Sequence, residues 1–581
     1  RLTAALASWQ ISRQPIRQGG AVLLVVLATA TTGLVLAQRA SGTRSDRDQA
    51  AFTAGADVRV TPAVPLSAGQ SGRISRAPGV RRAMPVATFP ATTSSGETVA
   101  LDARQAASVT LLRADQLPGA ARPLFAAITP PGAPPGLALP GRPARLQLTA
   151  AIGPATLPLQ PVTVTVTVTD AAGDAYLLTA GTLPVDGRDH SLSAVIPGGE
   201  AIYPLRVTAV TAGYTLPTRP SLDEAAAVFT VTRLSGGPAT TPVPGAALSR
   251  WRVAASSAQL NAAQAVFPGV EGPVILPGVD GTVTASGATQ VTFQAGAGQL
   301  VADSADAPTV PVAGQLTLTA ARGAAAIPGL ATRGFLAATH SAVGSTVLAA
   351  VNGTNLSVKI VAALASFPTV PLSGGALIVD LAAVQDQLTS RSLPPAQPSQ
   401  WWLATAGGRP PPGLAAWLPA DAAVTSAAGL TGGLLSDPVS VVPRNALLAV
   451  ALAAVILAIT GFCVSIATAV RQRRGENALL AALGVPPGAA ARQLGLENLM
   501  LSVPSALAGL VLGALLAELL VPAITLTTAA ATPVPPVLID FSWPLTAALA
   551  AAVAAVPVLA AGVAMARRPD PAAALRTSET V

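Results

Sequence analysis

GGAVLLVVLATATTGLVLA, residues 19–37, is an uninterrupted apolar run. About 20 such residues in a helix cross a hydrocarbon core of ~30 Å. Working outward, no comparable run recurs until residue 446, after which three follow, at 446–470, 499–522 and 544–566. This 1 + 3 spacing predicts an α-helical membrane protein with one large region outside the bilayer. It is unlike a bundle that carries solute through its own centre. A basic lead, an apolar centre and Val35-Leu36-Ala37 also fit a secretory signal with a cleavage site. The length of the run favours a span, with residues 1–18 as an amphipathic segment on the inner membrane face. Arg1 is not a natural start, so upstream sequence is expected.

Composition agrees with a chain partly in lipid. Of 581 residues, 51% are hydrophobic and only 11% charged, against about 25% charged in soluble domains. An Ala-, Pro- and Gly-rich middle contributes to the same deficit. The net charge of +8 comes almost wholly from arginine, and Lys359 is the single lysine. A phosphate-binding P-loop needs Lys after a glycine-rich turn, and Lys359 stands in the strand-like run 356–361 instead. No ATPase site is therefore expected on this chain, and Schiff-base or Ser-Lys chemistry is disfavoured. With 3% aromatics there is no broad stacking surface for nucleic acid. Cys463 is expected as a small buried packing residue. His190 and His340, far apart and without neighbouring cysteines, make no metal site. No catalytic, cofactor-binding or metal-ligating residue is assigned.

Charge sets an expected orientation. Arg471, Arg473, Arg474 and Arg492 follow the second run, and Arg567, Arg568 and Arg576 follow the fourth, whereas residues 523–543 carry no basic residue. The segment 471–497 and the tail 567–581 are then cytoplasmic. Residues 38–443 are extracytoplasmic, and the chain is a multi-pass protein of the cell membrane. Around the first run the basic residues nearly balance, and Asp46 and Asp48 do not decide.

The outer region reads as mostly β. Residues 38–56 extend the first helix as a stalk, and an α+β subdomain follows, with strands near 56–60, 80–86 and 98–101 and a helix over 103–117. A Pro/Gly-rich linker covers 130–143. VTVTVTVT, residues 162–169, alternates with a period of two and is β-branched throughout, as a half-buried strand requires. A turn at Ala171-Ala172-Gly173-Asp174 makes it a hairpin with 176–179. Further strands at 190–195, 205–210 and 228–233 suggest a β-sandwich inserted over about 146–234. Later strands are expected at 274–276, 282–286, 289–294, 315–320, 345–349 and 355–361, with a strand passing into a helix over 376–388. Asp186-Gly187-Arg188-Asp189 lacks the full ligand series of a calcium loop and reads better as a solvated turn. Trp401-Trp402 is open between a binding platform and a hydrophobic contact.

The sharpest segment is RQRRGENALLAALGVPPGAAARQLGLE, residues 471–497. Leu479, Leu480 and Leu483 share one helical face, Gly484 ends that helix, and Pro487 opens the next. A short helix with one apolar edge and basic flanks suits the groove of a cytoplasmic partner; an amphipathic loop on anionic lipid is the plainer alternative.

This segment resembles that of the FtsX-like (MacB-type) ABC-transporter permeases. There a basic residue and a Glu precede a Leu-rich helix closed by Leu-Gly, and a Glu opens the next membrane helix. Arg473, Glu476, Leu483-Gly484 and Glu497 match that pattern. Arg568-Pro569 with Ala574-Leu575-Arg576 resembles the family's tail, and residues 336–380, with Phe367-Pro368, its outer domain. Ala481 departs from it where an Arg is frequent. Large members hold two such cores, so the chain would be the C-terminal half of a two-core permease. The resemblance implies an ABC-type ATPase dimer as partner, holding the ATP and magnesium, with no cofactor on this chain. A second permease core and the lipid membrane are the other partners, and nucleic acid is not one. Arg473, Glu476, Leu479, Leu480, Leu483 and Gly484 would dock the ATPase. Glu497 would cap or pair at the membrane border, and Glu518 would line a path or snorkel. Hydrolysis on the partner would drive export or mechanical transmission. Two other readings are a membrane-anchored β-domain that binds cell-wall polymer or carbohydrate, and an ATPase-coupled regulator of a cell-wall hydrolase.

Overall fold

The structure, a computed structural model, describes residues 15–90, 96–132, 134–153, 162–196, 201–215, 225–236, 243–257, 283–285, 288–295, 313–370, 375–472, 487–525 and 532–566. The strand expected at 274–276 and the tail 567–581 lie outside these, as does most of segment 1–18. Two compact units divide the chain: Arg1–Ala50 with Thr431–Val581, and Ala51–Leu430.

The first unit is helical. Pro15–Ala54, Pro438–Gln472, Pro487–Ile524 and Trp543–Ala566 are its long helices. Among the described residues, three helices carry stretches long and apolar enough to cross a membrane: Val22–Ala54, Val441–Thr468 and Asn498–Ile524. The apolar stretch Trp543–Val556 of the last helix is shorter. The run at 19–37 and the expected stalk form one helix of 40 residues, which at 1.5 Å per residue is about 60 Å long. Helix contacts rest on small residues, which let backbones approach closely in lipid. A Cβ on Gly513 would lie 2.8 Å from the Ala30 carbonyl oxygen, and one on Gly509 would collide with Thr29. Ser502 Oγ donates to the Ala554 carbonyl at 3.0 Å, so a polar group in an apolar helix finds a partner on its neighbour. Cys463 is exposed on its helix, which corrects the expected burial. A polarizable, weakly hydrogen-bonding thiol is compatible with an apolar surface as well as with an interior.

The second unit holds a mixed nine-stranded sheet and a sandwich. The sheet order is Thr346–Val351, Thr354–Leu364, Ile327–Thr332, Ala376–Asp380, Glu97–Leu101, Val80–Pro90, Gln400–Thr405, Val58–Thr61, Ala423–Ser426. Its centre reads as continuous apolar sequence because both faces are covered: every residue of Ala376–Asp380 is buried. Glu97–Leu101 and Ala376–Asp380 run parallel with Leu101 opposite Asp380, and each leads directly into a helix, Ala103–Val109 and Leu381–Ser390. The helix expected over 103–117 stops at Val109, where Thr110 turns extended, and a short 3-10 turn at Ala114–Gln116 takes its place.

The sandwich is wider than the sequence suggests. One sheet orders Val283–Ala285, Thr289–Ala295, Ala225–Ser235, Arg145–Ile152 and His190–Val195. The other orders Arg252–Ser257, Ala313–Thr319, Arg206–Thr215, Val162–Thr169 and Ala175–Leu183. Leu137–Ala138, inside the expected linker, pairs with Arg206–Thr215. Strand pairing thus reaches Thr319, far beyond residue 234. The alternation of 162–169 works as predicted: Val162, Val164, Val166 and Val168 sit in the core with Leu148, Phe229 and Leu318 from both sheets. The threonines take the other face, where Thr169 and Thr208 hydroxyls meet at 3.3 Å.

Candidate functional site

The expected docking residues Arg473, Glu476, Leu479, Leu480, Leu483 and Gly484 lie in 473–486, outside the described residues. The structure shows the helices on either side: Pro438–Gln472 leads in and Pro487–Ile524 leads out. Glu497 lies in the first turns of the second of these. Glu518 is exposed near that helix's far end. Glu497 and Glu518 lie 21 residues apart on this one helix.

Sequence reasoning missed an ion pair between helices. Arg444 Nη2 donates to Asp46 Oδ2 at 2.7 Å, with side chains 15% and 9% exposed. Gly42 lies one turn before Asp46, and a Cβ there would come within 3.1 Å of the same guanidinium nitrogen. Ser41 Oγ accepts from Asp540 N at 2.8 Å. One turn of the long helix thus binds two other segments of its unit. The signal was present in the sequence as an Asp in the polar extension and an Arg beside the second apolar run.

A second polar constellation lies in the β-rich unit. Asp102 and Asp380 cap the helices after the two parallel strands, and Asp380 serves both: its carboxylate accepts from Ala383 N at 3.0 Å and from Ala103 N at 3.1 Å. Asp102 accepts from Arg104 N at 3.0 Å and from Gln105 Nε2 at 2.8 Å. Against these helix starts stands the tip of the hairpin 162–183. A Cβ on Gly173 would lie 3.4 Å from that of Ala382. Asp170 Oδ1 accepts from Ala172 N and Asp174 N at 2.9 and 3.0 Å. Its other oxygen accepts from the Tyr176 hydroxyl at 3.2 Å, which also reaches Ser71 Oγ at 3.1 Å.

All four carboxyls are buried: Asp102 7%, Asp170 5%, Asp174 2% and Asp380 2% exposed. Burial pushes Asp170 up to about 7, against the hydrogen bonds it accepts. It pushes Asp380 up to about 6. Burial and the neighbouring Asp170 push Asp174 well above the usual carboxylate range. Among the described residues no Arg or Lys forms an ion pair with any of the four. The sequence reading took 171–174 for an ordinary turn, since nothing local says what a hairpin tip will meet.

Two other expectations are settled by burial and hydrogen bonding. Trp401 and Trp402 are fully buried, and Trp402 stacks on Phe367 with ring centroids 6.2 Å apart, so they are core and not a platform. Residues 186–189 form a turn in which Asp186 accepts from Arg188 N at 2.9 Å and faces His190 Nε2 at 3.0 Å. These contacts, the Arg188 amide first, hold the Asp186 carboxyl below its ordinary value. Among the described residues there is no cluster of His, Cys, Asp or Glu fit to hold a metal.

Residues 448–571 match the family model of the FtsX-like permease C-terminal domain. No curated protein matches the chain. The matched segment takes in most of Pro438–Gln472, the helices Pro487–Ile524 and Trp543–Ala566, and residues 473–486.

Proposed function

We propose that this chain, an FtsX-like permease family member through its C-terminal membrane segment, is the permease subunit of an ABC transporter that turns ATP hydrolysis on a separate ATPase into movement of its β-rich unit. The observation that carries the reading is the match over 448–571, which brackets the one segment whose sequence suits a partner groove. Members of this family work with an ATPase subunit in the membrane. Arg473, Glu476, Leu479, Leu480, Leu483 and Gly484 form the docking surface, with ATP and magnesium on the partner. The Arg residues beside the second and fourth apolar runs support a reading with this surface on the cytoplasmic side of the cell membrane and the β-rich unit outside.

The 40-residue helix Pro15–Ala54 is the transmitting element. It is about twice the length a span requires, and it passes without a break from its apolar stretch to the residue before Gly55. A two-state membrane unit biased by nucleotide on the partner would shift this helix. A second permease core completes the assembly, and export or mechanical transmission is the output.

The test is affinity capture of the ATPase subunit from detergent-solubilised membranes holding the full chain. E476R combined with L480D puts the wrong charge in the groove and a carboxylate on its apolar edge. Capture should fall at least about tenfold, since a buried unpaired charge costs several kcal/mol. Equal capture by the double variant, folded by circular dichroism, refutes the docking assignment.

A further inference from the structure

We infer that the sandwich is latched to the nine-stranded sheet by a proton-dependent contact, the hairpin tip Asp170–Tyr176 seated on the starts of the helices Ala103–Val109 and Leu381–Ser390. This goes beyond the permease reading and does not depend on it.

The contact is built from both sides. From the hairpin come Asp170, Asp174 and Tyr176. From the helix Ala68–Ser75 comes Ser71, bonded to the Tyr176 hydroxyl, while Ala68 is buried in the sandwich core. Asp102 and Arg104 face it from one helix start, Asp380 from the other. Arg104 lies close enough to favour the charged forms of Asp102 and Asp380, and Asp102 close enough to disfavour that of Asp170. Beside the hairpin, the chain returning from the sandwich is tied to the same helix: Arg322 N and Gly323 N donate to Asp386 at 3.3 and 3.1 Å, and Gln387 Nε2 donates to the Ala324 carbonyl. Burial raises Asp386 as well.

Two carboxylates four residues apart in one turn, each nearly without solvent, cannot both be charged here without a cation. A proton on one removes the repulsion between them. Undocking exposes the tip and restores ordinary acidity, so docking takes up protons. The sign follows: a carboxyl raised in the docked state favours docking most below its ordinary value, near pH 4, and that support is lost as pH rises through about 7. The docking constant then falls progressively over that range. Acid closes the latch and alkali loosens it. The sandwich would then be held or released by the pH around it.

The experiment uses the full chain in detergent, with Cys463 replaced by Ser and spin labels at Leu177→Cys on the hairpin and Val343→Cys on the sheet side, both exposed in the structure. Electron–electron distance distributions are recorded at pH 5 and pH 8. The expected result is a narrow distribution at pH 5 and a broader or longer one at pH 8. D170N, which keeps an acceptor for the turn amides and imitates the protonated acid, should stay narrow at both. D174N should do the same. Identical distributions at the two pH values in the labelled chain that keeps both Asp170 and Asp174 overturn the proposal. Narrowing at pH 8 on adding calcium, reversed by chelator, also overturns it, since a cation and not a proton would then balance the charge.

Discussion

The Arg444 guanidinium and the Asp46 carboxylate meet at 2.7 Å between the helices Pro438–Gln472 and Pro15–Ala54. With 15% and 9% of their side chains exposed, neither charge has enough water to stand alone. Removing one partner of a buried pair costs about 3–5 kcal/mol, whereas replacing both with apolar groups of similar volume is often neutral. Slight exposure brings the expected cost of R444M or D46L to about 2–3 kcal/mol. The double variant should recover most of this. Thermal unfolding of the detergent-solubilised chain checks it: two singles clearly below the double support a buried pair, and strictly additive losses contradict one.

Gly55 ends the 40-residue helix, and its φ is +82°. Its N–H bonds the Ala51 carbonyl at 2.8 Å. A Cβ there would stand 2.8 Å from both Thr369 Cγ2 and the edge of the Trp402 ring, and Trp402 is fully buried. The left-handed backbone costs a side chain about 1–2 kcal/mol, and overpacking adds about 1–3. G55A should therefore destabilise the β-rich unit by about 2–4 kcal/mol, with an earlier unfolding transition in tryptophan emission. G132A is the control, because that glycine also has positive φ, +90°, but has nothing within 4 Å. It should show the backbone penalty alone.

Periodic features were readable in the sequence, and features set by distant partners were not. The apolar runs and the alternation of 162–169 are local: three of the four runs fall, among the described residues, in helices long and apolar enough to cross a membrane, and the alternation appears as a strand with its valines in the core. The second half of the sandwich is not local: Ala313–Thr319 pairs with Arg206–Thr215 across about a hundred intervening residues, so its short strands gave no sign of belonging to the first half. Asp380 before an apolar helix is a legible cap. Its second bond, to Ala103 N, depends on two parallel strands ending side by side. Trp401-Trp402 was ambiguous because alternate strand residues face opposite ways, and only a sheet covered on both faces buries the two together. Pro487 was legible as a helix start, and the helix Pro487–Ile524 begins there; the expected docking residues lie outside the described residues.

Among the described residues, the membrane unit packs closely where Gly509 and Gly513 meet Thr29, Ala30 and Gly33. A side chain at Gly513 would press on the Ala30 carbonyl, 2.8 Å from its Cβ, and a Cβ on Gly33 would lie 3.9 Å from Gly513 Cα. Neither helix can yield without separating from the other, because the obstruction is backbone. In lipid there is little hydrophobic penalty to hold separated helices together, so lost packing translates into lost association. G513L should lower the unfolding temperature sharply and reduce the yield of monodisperse protein in size-exclusion chromatography. Gly20 lies on the facing helix Pro15–Ala54 with nothing within 4 Å of its Cβ position, and G20L should leave both readouts unchanged. If G513L behaves like G20L, the two helices do not pack through these glycines.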